Sequence, residues 1–299
     1  MNDTWAVFAL ISAFGQALSW AIKKKVIDGQ GVNVTLGAVA YSSATLLFII
    51  GLVCFERPWV FNDFSNRFWI SALYSIIANI IASWCAFRAL ESKVDFSSLM
   101  PLISLTAPII ILLEFYFNKT LPNNEQLIGI GAVVVGGIIF GHKTFKRNLG
   151  AYLFFSITLI SYSFSSTYMG IMVNESNGLS MFPNVVLHGG IAVGFIFLFF
   201  FSKEKAIFRK IAQTGKIKSL LTTMILTGIV IAALENGPTI LALRDATASE
   251  VFSIKRLMPI FAVAIGYWYF KEVNITKKMI LGTVLMVTGA IVITLFKQY

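Results

Sequence analysis

Charge is what this chain has least of. Only 13% of its 299 residues are Asp, Glu, Lys or Arg, against 57% hydrophobic and a mean hydropathy of +0.79. Soluble proteins carry about 25% charged and about 45–50% apolar residues. A water-soluble enzyme, a nucleic-acid binder and a disordered chain are therefore excluded. Cysteine is nearly absent: Cys54 and Cys85 both lie in apolar surroundings, which rules out a disulfide framework. The two histidines, His142 and His188, make no metal spacing, and neither a metal nor a cofactor is expected. Beyond Asp3 at the start, Asp28, Asp63, Asp95 and Asp245 fall in loops or at the ends of apolar runs, so no paired-aspartate protease can be built. A Gly-rich phosphate loop with its Lys is also missing, which argues against ATP-driven transport by this chain alone.

What is abundant is apolar sequence in blocks of about 20 residues, the length that crosses about 30 Å of hydrocarbon as helix. Ten spans can be drawn, at about 4–22, 32–55, 68–87, 96–117, 125–141, 149–173, 182–201, 219–242, 249–270 and 276–296. The first reads as a retained span, because Met1-Asn2-Asp3-Thr4 lacks a positive region and Lys23-Lys24-Lys25 follow the apolar block. Stretches such as Ile76 to Ile81 and Ile225 to Leu234 are nearly all apolar, unlike barrel strands, which alternate. The fold class is all-α integral membrane. The connections are short, and the longest is the charged stretch Ser202 to Lys218.

The formal net charge of +10 fits orientation and contact with anionic lipid head groups, not nucleic acid. With ten spans both termini share one side, which holds Arg57, Arg67, Lys119, Arg244 and Lys297. Seventeen cations fall on the other side, among them Lys23, Lys24, Lys25, Lys93, Lys143, Lys146 and Arg147. Positive-inside bias thus predicts both termini outside.

Landmarks recur at an offset of 153: Ala89-Leu90 as Ala242-Leu243, Tyr116-Phe117 as Tyr269-Phe270, Gly129 as Gly282 and Gly136 as Gly289. This suggests two five-span halves, 1–147 and 148–299. Five is odd, so the second half must cross in the opposite sense, giving an inverted repeat with a site near the midplane.

These motifs resemble the drug/metabolite transporter superfamily, in particular its ten-span EamA-type members. In the second half, Ala242-Leu243 precedes Pro259, and Glu272 then Gly282 and Gly289 follow it. In the first half, Asp95-Phe96-Ser97, Pro101 and Pro108 fit, while Lys119 stands where Glu272 would match. The resemblance implies alternating access around a cavity lined by helices 1–4 and 6–9. It also implies both termini in the cytoplasm, against the charge distribution. The step Lys255-Arg256 is similar to the ninth helix of plastid sugar-phosphate translocators, where such a pair binds phosphate. A basic partner on the fourth helix is missing, since Leu102 and Ser104 stand there.

A charge at the bilayer centre costs about 2.5–3.5 kcal/mol on insertion scales, so each one that persists is a functional candidate. Glu235 and Arg256 each lie about ten residues from the turn near 245, hence at equal depth, about 15 Å along their helices. That depth allows an ion pair of Glu235 with Lys255 and Arg256, and the basic pair could hold an anionic group. The competing reading is a packing bridge or snorkelling. Asn236, Gly237 and Pro238 predict an interrupted eighth span. Pro101, Pro108 and Pro259 are further weak points. Glu114 reads either as a snorkelling residue or as a proton-coupling carboxylate alongside Glu235. Ser161 to Tyr168 form a hydroxyl-rich stretch in which Tyr162 and Tyr168 are candidate contacts. Gln16, Tyr41, Asn79 and His188, with Asn184 on the face of His188, complete the set. Gly129, Gly131, Gly136, Gly137, Gly282 and Gly289 read as close helix packing.

The expected function is secondary active transport, as exporter or exchanger, of a small polar metabolite that is anionic or zwitterionic. The alternative is a flippase for a lipid or lipid-linked sugar. The expected partners are that solute, the bilayer of the plasma membrane, and protons or a counter-substrate, with the chain a monomer or homodimer.

Overall fold

The structure is a computed structural model, and it describes residues 4–56, 64–92, 99–119, 122–141, 149–176, 178–271 and 276–296. Every regular element among them is a helix. In chain order, α1 is Thr4–Gln30, and α2 is Asn33–Gly51, extended by a π-helical turn, Leu52–Glu56. The third, α3, is Asn66–Glu91, and α4 begins as a 3-10 stretch, Met100–Leu105, and continues as Thr106–Asn118. Next come α5, Asn124–Gly141; α6, Leu149–Asn174; α7, Met181–Phe201; and α8, Glu204–Gln213. The ninth, α9, is Ile217–Val230, a π turn Ile231–Asn236, and Gly237–Leu243. The tenth, α10, is Ala248–Lys255, Met258–Ile265 and a π turn Gly266–Phe270, and α11 is Lys277–Leu295. The ten expected spans correspond to α1 to α7 and α9 to α11; among the described residues eight of these are long and apolar enough to cross a membrane, while α5 is a shorter apolar helix and α10 is broken at Arg256 and Leu257.

Two segments differ from expectation. The first helix does not stop before the lysines but carries Lys23, Lys24 and Lys25 within it. Lys24 donates to the Leu90 carbonyl at 2.9 Å and pairs with Asp28 at 2.9 Å, so the interior supplies acceptors that let the helix run on. The connection 202–218 contains α8, with Ile207, Phe208 and Ile211 on one side and Arg209 and Lys210 exposed on the other. A short amphipathic helix of this kind lies along the interface and does not cross.

The packing is symmetric between halves. Helix α3 packs on α6 as α9 packs on α1, α4 on α6 as α10 on α1, and α3 on α7 as α9 on α2. The two remaining pairs, α2 with α7 and α5 with α11, are each their own symmetry mate. This is the pattern a pseudo-two-fold axis in the membrane plane produces. The landmark residues follow it: Ala89 and Leu90 near the end of α3, and Ala242 and Leu243 at the end of α9, are all buried. Both α4 and α10 end on a lysine in the left-handed region, Lys119 at φ 56° and Lys271 at φ 55°.

The α5–α11 pair is joined by glycine. A Cβ on Gly129 would lie 2.8 Å from the Gly289 carbonyl oxygen, one on Gly289 would lie 2.4 Å from that of Gly129, and one on Gly136 would lie 2.7 Å from that of Gly282. Gly137 serves packing too, against Ser104 of α4. Gly131 does not: nothing lies within 4 Å of its absent side chain, because that position faces away from both neighbours. Exposed Leu, Ile and Phe on the outer faces of α3, α7 and α11 mark the surface presented to lipid.

Candidate functional site

The interior breaks in α9 and α10 converge on one cavity. Pro238 has no N–H to give, and α9 meets it with the π turn Ile231–Asn236. Gly237 is required there, since a Cβ would come within 2.5 Å of the Ala232 carbonyl oxygen. Gly15 performs the same service on α1, where a Cβ would sit 2.2 Å from the Leu234 carbonyl oxygen. The loosened backbone is bonded locally: the Glu235 carbonyl accepts from Ser12 and Thr239 hydroxyls, both at 2.6 Å. In α10 the interruption falls at Arg256 and Leu257, between Lys255 and Met258. Pro259 accounts for it, because its missing N–H leaves the Lys255 carbonyl without its helical donor. Pro101 lies in the first turn of the 3-10 stretch of α4, and Pro108, in the first turn of the regular helix Thr106–Asn118, leaves the Ser104 carbonyl without its α-helical donor where the 3-10 stretch gives way to α-helix.

The cavity, about 40 Å³ in volume, lies between α1, α2, α3, α6, α7, α9 and α10. It brings together Gln16, Tyr41, Asn79, Tyr162, His188, Glu235, Asn236, Lys255 and Arg256, nine of the expected contacts. Tyr168 is not among them. It stacks on Tyr74 at 5.1 Å, away from the chamber, because it lies on the far side of α6 from Tyr162. Ser165 and Ser166 from the same hydroxyl-rich stretch do line the cavity, while Ser163 and Thr167 turn back to the carbonyls of Leu159 and Ser163.

Sequence reading missed Lys23. Counted with loop cations, it is 3% exposed and lines the cavity, held 5.8 Å from the ring centres of both Trp20 and Tyr41. The available signal was its register: Gln16, Ser19 and Lys23 lie three to four apart on one face of α1.

The expected ion pair does not form. Among the described residues no carboxylate oxygen lies within 4.0 Å of Lys255 or Arg256. The π turn carries Glu235 toward α1, where its Oε2 accepts from the Ser19 hydroxyl at 2.6 Å. Lys255 donates to Thr239 at 3.0 Å. Arg256, 2% exposed, lies over the Phe252 ring at 5.7 Å, and its Nε is buried without a partner among the described residues. The Gln16 side-chain oxygen is equally unpartnered. The chamber therefore holds three cations against one carboxylate.

Its neutral wall is more fully bonded. Tyr41 and Ser83 hydroxyls meet at 2.8 Å, and Ser83 reaches Tyr162 at 3.4 Å. Asn79 donates to Ser165. The His188 Nε2 accepts from the Asn236 amide at 2.8 Å, which leaves Nδ1 to donate to the Asn184 carbonyl at 2.9 Å, so the ring is the neutral tautomer protonated on Nδ1.

Glu114 does not snorkel. It is buried and accepts from the Ser249 N–H at 2.9 Å, placing a carboxylate on the N-terminus of α10, where the helix dipole favours it. It stands outside the cavity lining. Glu272, the Asp95-Phe96-Ser97 motif, His142, Asp63 and the loop cations Arg57, Lys93, Lys143, Lys146, Arg147 and Lys297 lie outside the described residues. Among the described residues no group of three His, Cys, Asp or Glu could hold a metal.

A helical membrane bundle built of two matched halves around a charged interior chamber has the architecture of a membrane transporter. The EamA-like transporter family model matches residues 3–141 and again 149–295, and the chain belongs to that family. A solved structure titled "Crystal structure of protein" shares the fold, with a TM-score of 0.61 over 99% of this chain and 98% of that one at 11% identity. No curated protein matches.

Proposed function

We propose that the chain is a secondary active transporter of a small anionic or zwitterionic metabolite, working by alternating access between its two repeats in the plasma membrane. The observation that carries this is the charge of the chamber. Lys23, Lys255 and Arg256 line it with Glu235, and none of the three cations is paired with an acid among the described residues. Burying charge without a partner is costly, and an anionic passenger repays the cost only while it is bound. Arg256 offers a planar fork to a carboxylate or phosphate, and Lys23 and Lys255 add point charges from the neighbouring helices α1 and α10. Trp20, Tyr41 and Phe252 present ring faces to the cations. Glu235, tethered by Ser19, restores the empty site or exchanges protons with it.

The test is a thermal-shift screen of purified protein against amino acids, organophosphates, nucleotide sugars and amines, followed by uptake of the ligand found into proteoliposomes. An anion or zwitterion should stabilise the folded state and be trapped inside vesicles. Arg256→Ala should abolish that uptake while leaving folded yield largely intact. Stabilisation by amines alone would overturn the assignment, and a lipid that changes leaflet would replace it with flipping.

A further inference from the structure

The two helices along the seam between the repeats leave their own N-termini uncapped. Helix α2 starts after Val32 and α7 after Ser180, and neither residue bonds its side chain back into the helix. By contrast, α3, α10 and α11 are capped by their own Ser65, Thr247 and Thr276. The missing acceptors come from the opposite repeat. Glu204, just past the end of α7, accepts the N–H groups of Val34 and Thr35 at 2.9 Å each and the Thr35 hydroxyl at 3.0 Å. Glu56, at the end of α2, accepts the N–H of Ser180 and, with both oxygens at 2.9 Å, that of Met181. The two carboxylates thus sit at opposite ends of one antiparallel helix pair, and so at opposite faces of the membrane. Each helix start is also tied to its own repeat. Asn33 donates to Glu91 at the end of α3, and Arg244, just past α9, donates to Ser180 at 2.9 Å.

We propose that Glu204 and Glu56 are the two gate latches of the transport cycle, one for each membrane face, and that each lets go when its own face opens. This rests on the alternating-access reading above. Rocking one repeat against the other widens the α2–α7 seam at one face and narrows it at the other. Charge-assisted bonds to a helix N-terminus weaken steeply once the partners separate, so a closed latch resists opening at its own end alone. In this structure both are closed. Neither carboxylate lines the chamber, so both act as positioning residues and not as substrate ligands.

The test uses the full chain with Cys54 and Cys85 replaced by Ser and one reporter cysteine at Ser166, on the cavity wall. A membrane-impermeant maleimide is applied from either face of oriented vesicles. Glu204→Gln should raise labelling from the face where α2 begins, relative to the other face, by about tenfold, equivalent to about 1.4 kcal/mol. Glu56→Gln should move the ratio the opposite way by a similar factor, and the double variant should return it toward the parent. Where a Gln variant loses its folded, monodisperse form, the Asp variant, with its charge withdrawn by one methylene, should shift the ratio in the same direction. A parent that labels from both faces with a ratio neither variant moves, or that both move the same way, overturns the latches. A reporter accessible from one face only, in parent and variants alike, overturns alternating access itself.

Discussion

Replacing the guanidinium of α10 by an uncharged side chain of similar length, Arg256→Met, sets two effects of opposite sign against each other. Arg256 is 2% exposed and faces no acid within 4.0 Å among the described residues. On insertion scales such a charge at mid-membrane costs about 2.5–3.5 kcal/mol. Against that stands its place over the Phe252 ring at 5.7 Å, worth about 0.5–2 kcal/mol. The balance predicts an empty protein more stable by about 0.5–3 kcal/mol, a rise of about 1–12 °C in unfolding temperature for a chain of this size. Anion binding should vanish in the same variant. Thermal unfolding in detergent, with and without the ligand found in the screen, reads both effects. A Met variant that unfolds several degrees below the parent would refute the reasoning, because the guanidinium would then be a packing tie whose removal opens a hole.

Lys23→Met should abolish anion uptake in proteoliposomes as Arg256→Ala does, while leaving the orientation of the chain, read by terminal tagging, unchanged. Gly15→Leu forces side-chain atoms into the Leu234 carbonyl, 2.2 Å from the site of the first added carbon, and should cost about 1–3 kcal/mol in detergent unfolding. Gly289→Ala should destabilise similarly by parting α5 from α11, whereas Gly131→Ala, with nothing within 4 Å, should raise stability by about 0.5–1 kcal/mol through helix propensity. Glu114→Gln keeps an acceptor for the Ser249 N–H while removing a buried charge, so stability measured by denaturant or heat should hold or rise; a clear loss would show that the charge on the α10 N-terminus outweighs the cost of burying it.

Span positions were legible because twenty apolar residues in a row have one physical use, and nine of the site residues because polar groups in oil need a reason to be there. Gly237 and Pro238 announced the break in α9 through the lost donor alone. What stayed hidden depends on rotation about helix axes. The depth argument put Glu235 level with Arg256, but the π turn gave its carboxylate to Ser19. Tyr168 follows Tyr162 by six residues, which places it on another side of α6. Lys23 was concealed by two lysine neighbours that suggested a loop. Glu56 and Glu204 sit at span ends, where an acid usually means water, and only the fold shows whose amides they meet.

The glycine contact of α5 with α11 has a mechanical consequence. Each backbone there fills the hollow where the other lacks a methyl group, so the pair meshes in a single register and forward or backward slippage by one residue would collide main chain with side chain. In the transport cycle proposed above, this interlocked column is the axle about which the two repeats would pivot.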